Sequence, residues 1–105
     1  VEGNVSGQSP LPTGGLIMKF KDLKFRTWTE NDNQCKQARV TLENGYAVSV
    51  VRHNFSYGGN KGLYEIGVFN ADTNNMVDPL DWGDTVKGWL LPSDVEQELK
   101  LIGAL

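Results

Sequence analysis

Apolar and polar residues alternate in the middle of the chain. Lys36-Gln-Ala-Arg-Val-Thr-Leu42 is the clearest case, and Tyr46 to Arg52 and Leu63 to Phe69 are two further short apolar runs. A period near two is that of a strand with one face buried. Asn44-Gly45 lies between the first two runs and is a strong hairpin signal. Lys36 to Phe69 therefore predicts a three-stranded antiparallel core.

The hairpin register follows from the side-chain pattern. A two-residue loop at Asn44-Gly45 would pair Leu42 with Ala47 and Val40 with Ser49, mixing apolar and polar positions on one face. A three-residue loop, Glu43-Asn44-Gly45, pairs Leu42 with Tyr46, Val40 with Val48 and Ala38 with Val50. All six then share a face, and Gln37, Arg39, Thr41, Ala47 and Ser49 take the other. A slip of one residue inverts every side chain, so the coherent apolar face decides. The turn is expected to be type I with a bulge, with Gly45 in the left-handed region. In the third run Tyr64, Ile66 and Val68 share one face, and Gly67 marks a bulge or a close approach.

On either side the pattern weakens. One strand is expected near Leu23 to Trp28, and Thr29 to Gln34 reads as a polar loop. Asn70 to Asn75 reads as a turn, Met76-Val77-Asp78 as a short strand, and Pro79 to Asp84 as an acidic loop around Trp82. Leu91 to Leu105 is the clear helix. Pro92 suits its first turn, and Ser93-Asp-Val-Glu96 matches a capping box. Val95, Leu99, Ile102 and Leu105 form its apolar stripe. The expected fold is α+β: an antiparallel sheet of four to five strands with one C-terminal helix packed on a face.

Length and composition fit one small domain. The chain has 105 residues, 39% hydrophobic and 22% charged, which are globular values. Residues 1–17 are rich in Gly, Ser and Pro and read as a flexible leader, added or processed, before a native frame starting at Met18. Residues 18–105 then form the domain. Cys35 is the single cysteine, so no disulfide closes within the chain. That fits a reducing compartment, and the expected location is the cytoplasm. No apolar run is long enough for a membrane helix. The net charge of −3 argues against a general nucleic-acid coat. Its distribution is uneven: residues 18–69 hold eight basic and five acidic side chains (+3), residues 70–105 two and seven (−5).

No catalytic, metal or cofactor motif stands out. His53 is the single histidine and no spacing gives it a triad with Ser56. Cys35 sits in the expected polar loop, with Lys36 as thin support for a reactive thiolate. Asp72 to Asn75 and Asp78 to Asp84 are oxygen-rich but lack the spacing of a calcium loop. Gly58-Gly-Asn-Lys-Gly62 could cradle a phosphate, yet it joins two strands and lacks the P-loop pattern. The better candidate is the whole segment His53 to Gly62, which is longer than a usual hairpin loop. Its Phe55 and Tyr57 are either pinned into the core, the favoured reading, or exposed as binding anchors.

The segment from Gln37 to Leu105 resembles small proteins of tailed bacteriophages. The resemblance rests on Gln37-Ala-Arg39, Asn44-Gly-Tyr46, Val48-Ser-Val-Val-Arg52, Ser56-Tyr-Gly-Gly59, Gly62-Leu-Tyr-Glu65, Gly88-Trp-Leu90 and Pro92-Ser-Asp-Val95. The start Met18-Lys-Phe-Lys-Asp-Leu looks similar too. It implies an origin and no activity.

The expectation from sequence is a small non-enzymatic binding protein, phage-encoded, contacting a host or viral macromolecule. Phe55, Tyr57, Lys61, Asp78, Asp81, Trp82 and Asp84 are its candidate surface. No catalytic, cofactor or metal residue is expected, nor a membrane partner, and pairing of two copies through strand edges stays open. The alternative is a nucleic-acid-binding accessory protein using Lys19, Lys21, Lys24, Arg26, Arg52 and Tyr57. A third reading is a small enzyme or ligand-binding protein, which requires an enclosed polar pocket beside His53.

Overall fold

The computed structural model describes residues 19–105. The leader assigned to residues 1–17 and the start at Met18 lie outside the described residues. The chain forms a 6-stranded antiparallel sheet with a helix across one face, the α+β class expected. The elements are β1 (Arg26–Glu30), β2 (Asn33–Thr41), β3 (Tyr46–Arg52), β4 (Tyr64–Asn70), β5 (Met76–Val77), β6 (Val86–Leu90) and α1 (Pro92–Gly103). Strands β1 to β4 follow one another as a meander, and β5 and β6 share the far side of β4. β5 pairs with Val68 and Phe69, β6 with Tyr64 to Gly67. The sheet thus has one strand more than the upper expectation, and that strand is β6.

The central hairpin has the register that the apolar face demands. Val40 pairs with Val48 and Ala38 with Val50. The Leu42 N–H donates to the Tyr46 carbonyl at 2.7 Å, and Gly45 takes φ +92°. An L side chain there would be strained. Gly67 is a close approach: a Cβ on it would lie 3.2 Å from Met76 Cε.

The first hairpin differs from expectation. Thr29 to Gln34 is not a loop. The strand runs to Glu30, turns at Asn31-Asp32 and resumes at Asn33. Both turn residues lie in the left-handed region, at φ 50° and 63°. That defines a two-residue type I′ turn, which Asn and Asp tolerate better than other non-glycine residues. β2 therefore begins earlier than its alternation suggests. Cys35 falls inside it, 0% exposed, instead of in a polar loop. β1 itself starts at Arg26. Leu23 precedes it as a buried residue after a 3-10 turn at Phe20–Asp22.

The core lies between the inner sheet face and α1. Ala38, Val48, Val50, Ile66, Val68 and Leu90 meet Val95, Leu99 and Ile102. Each large side chain buried there contributes about 1.5–3 kcal/mol. Tyr64, Phe20 and Phe25 close one end, with ring centroids 5.1–5.9 Å apart. Leu105, the last residue of the expected stripe, is exposed.

The capping of α1 is shifted from the expected box. Leu91 is the N-cap and Pro92 the first helical residue. The Asp94 carboxylate accepts the Leu91 N–H at 3.0 Å. Proline has no N–H to satisfy and its φ is already helical, so it opens the helix ahead of Ser93. Glu96 accepts the Phe20 N–H at 2.7 Å instead, tying the 3-10 turn to the helix. Glu98 is buried, and its carboxylate accepts from the Trp82 indole at 3.1 Å and from Lys87 at 3.0 Å. This network pins the segment between β5 and β6 to α1.

Candidate functional site

The segment His53 to Gly62 is a loop held by hydrogen bonds among its own residues. Ser56 Oγ accepts the His53 N–H at 2.9 Å and donates to the His53 carbonyl at 2.9 Å. The hydroxyl thus serves the His53 main chain and not its ring. His53 Nδ1 accepts the Phe55 N–H at 3.1 Å. The N–H groups of Gly59, Lys61, Gly62 and Leu63 all donate to loop carbonyls at 3.0–3.1 Å. Those donors are occupied, so the glycine stretch is not an open phosphate cradle. Gly58 and Gly62 sit at φ 88° and 76°, conformations that strongly favour glycine.

The loop is also fastened to the sheet. Glu65 Oε1 accepts the Tyr57 N–H at 3.0 Å, and the Trp89 N–H donates to the Tyr57 carbonyl at 3.1 Å. Close packing demands glycine at two more places. A Cβ on Gly59 would stand 1.9 Å from the His53 carbonyl oxygen, and one on Gly88 2.2 Å from Tyr57 Cβ.

This frame turns its aromatics outward. Phe55 is 85% exposed and Tyr57 56%, so the favoured expectation that they are pinned into the core is corrected. The loop satisfies its polar groups internally and does not need its aromatics as core filler. Trp89 joins them at 61% exposure, with φ 61°. The left-handed region is a true outlier for a bulky side chain. It coincides with the register shift in the β4–β6 pairing, between Tyr64 and Ile66. Sequence reading missed Trp89 because the shift breaks the two-residue period on which strand recognition depends.

Two open grooves flank His53. One, about 320 Å³, runs over the outer sheet face between Ser49, Phe55, Glu65, Phe69 and Met76. The other, about 310 Å³, is lined by Asn33, Arg52, Asn54 and Gly59 among others. Neither is an enclosed chamber. No cluster of three or more His, Cys, Asp or Glu side chains suited to a metal ion occurs among the described residues.

The acidic candidates have a different setting. Asp78 accepts the N–H groups of Trp82 and Gly83 at 2.7 and 2.9 Å, and so shapes its own turn. Trp82 is half-buried and packs against the core. Asp81 and Asp84 are exposed, as is Lys61 at the tip of the aromatic loop. The structure brings Phe55, Tyr57 and Lys61 together on one loop. Asp78 to Asp84 occupies a separate turn, entering after the β5 pairing and leaving into β6.

The basic residues do not gather on one face. Arg26 stands on the outer face, 4.6 Å over the Trp28 ring and bonded to Gln37. Arg52 pairs in register with Lys36 on the inner face, beside Tyr64. Lys19 and Lys21 belong to the 3-10 turn against α1. No helix of the described residues is long and apolar enough to cross a membrane. No family model, curated protein or solved structure matches the chain.

Proposed function

We propose that the chain is a small non-enzymatic binding protein that docks on a host or viral protein through Phe55, Tyr57 and Trp89. The carrying observation is Trp89. A bulky residue is held at a left-handed φ of 61° and still left 61% exposed. Strain of this kind costs of order 1–3 kcal/mol, persists only where the surrounding structure holds it, and clusters at functional sites. Tyr57 lies against the same backbone, and Phe55 extends the surface to the outer groove. Aromatic side chains on a fixed frame bind with little ordering cost, the condition for hot-spot anchors. The resemblance to tailed-phage proteins supports a viral origin.

The test is capture from bacterial lysate by the full chain at low and high salt, beside a Phe55→Ala/Trp89→Gly double variant. A protein retained at high salt by the native chain and lost by the variant is the expected result. Nucleic acid recovered only at low salt would replace this reading with the accessory-protein one, since phosphate contacts weaken steeply with salt. A protein held equally by the variant would move the surface elsewhere.

A further inference from the structure

Among the described residues β1 forms one margin of the sheet, with β2 as its strand partner. Its sequence is Arg26-Thr-Trp-Thr-Glu30. It holds no proline or lysine, two of the residues that commonly blunt an edge, and the charges that it does carry, Arg26 and Glu30, are opposite in sign. The type I′ turn at Asn31-Asp32 sets its hydrogen-bond phase. Glu30 and Asn33 close that two-residue turn and form a hydrogen-bonded pair. Alternation then makes Trp28–Cys35 and Arg26–Gln37 bonded pairs as well. The main-chain groups of Thr27 and Thr29 are consequently aimed at the open edge.

We propose that this edge pairs with the same edge of a second copy of the chain, antiparallel about a two-fold axis at Trp28. The strand is self-complementary in that register. Arg26 falls opposite the partner's Glu30, Thr27 opposite the partner's Thr29, and Trp28 opposite the partner's Trp28. Opposite charges, Thr–Thr and aromatic–aromatic pairs are each favourable across strands. The phase agrees with the pattern. Thr27 and Thr29 would exchange hydrogen bonds with the partner's Thr29 and Thr27. Trp28 would form a non-bonded pair, where side chains approach most closely. A parallel pairing in register would set like charges opposite each other. An isologous contact of this kind closes at two copies.

Five residues a side is far below the roughly 20–30 of a standard interface, so the dimer is expected to be weak and concentration-dependent. Sedimentation of the full chain over a concentration series should show the mass rising from 11.6 kDa toward twice that value. Glu30→Arg and Arg26→Glu should each abolish the rise, and the Arg26→Glu/Glu30→Arg double variant should recover it. Amide exchange on the native chain gives a reading without substitution: protection at Thr27 and Thr29 should grow with concentration. A native chain that stays monomeric across the series overturns the proposal. So does association that survives the single reversals, fails to return in the double variant, or leaves Thr27 and Thr29 unprotected.

Discussion

Trp82 and Trp89 sit on neighbouring segments and are used in opposite ways. Trp82 lies in a turn whose backbone Asp78 satisfies, and its ring packs on the core. Its indole N–H reaches the buried Glu98 carboxylate at 3.1 Å. Trp89 lies in the irregular strand β6, at φ 61°, and points to solvent. Its backbone fastens the aromatic loop through Tyr57. Both segments are well bonded, so order does not separate them. What separates them is where the apolar surface goes. At Trp82 it serves the fold. At Trp89 the fold supplies a frame and the ring is left free.

Removing Glu98 strikes the first of these regions hardest. Glu98→Ala takes away the acceptor for Trp82 and the partner of Lys87. Lys87 is 43% exposed and can return to water, so the loss comes mainly from the Trp82 indole left without its acceptor, about 1–3 kcal/mol. Denaturant unfolding should show it, with a change in tryptophan emission. Glu98→Gln, which can still accept from the indole, should lose less. Equal losses would mean that the Trp82 bond contributes little and that charge pairing holds the turn.

Gly59→Ala is the matching test on the aromatic loop. Its Cβ would meet the His53 carbonyl oxygen at 1.9 Å and Ser56 Oγ at 2.5 Å, backbone and anchor together. The loop must move, at an expected cost of about 1–3 kcal/mol. Amide protection should fall first at Ser56 and Gly59. Partner capture should fall as well, although Gly59 carries no side chain to touch a partner. Gly62→Ala separates the two kinds of glycine. Nothing lies within 4 Å of its Cβ, so only the φ of 76° is penalised, about 1 kcal/mol.

These regions were not equally legible in the sequence. The Asn44-Gly45 hairpin was readable down to its register, because one loop length alone put Ala38, Val40, Val48 and Val50 on one face. The Asn31-Asp32 turn was not, because the usual two-residue hairpin signal is Asn-Gly or Asp-Gly and this turn has no glycine. That one misreading displaced Cys35 from the interior to a loop. The helix was plain from Val95, Leu99 and Ile102, but its cap lay two residues earlier, fixed by Pro92. For the site, loop length marked His53 to Gly62 as unusual. Only the hydrogen bonds of Ser56 and Glu65 show that the loop stands without the help of its aromatics. Trp89 left no periodic trace, since β6 departs from strand register where it carries that residue.

The finest test of the contrast is Trp89→Gly, for which the expected stability change is small. Glycine takes φ 61° without the penalty that tryptophan bears. It also loosens the unfolded chain and forfeits the part of the ring that touches the protein. These effects oppose one another, and the net change should stay within about 1 kcal/mol. The Trp89 N–H to the Tyr57 carbonyl needs no side chain, so the loop should remain fastened. Trp82→Gly, by contrast, should cost about 3 kcal/mol through lost packing and an unpaired Glu98 oxygen. Equilibrium unfolding of the two variants side by side decides the matter. If Trp89→Gly is nearly silent in stability yet loses the partner, the strained tryptophan is kept for binding. If it unfolds the domain as readily as Trp82→Gly, the ring is a structural prop and the proposed anchor surface must contract to Phe55 and Tyr57.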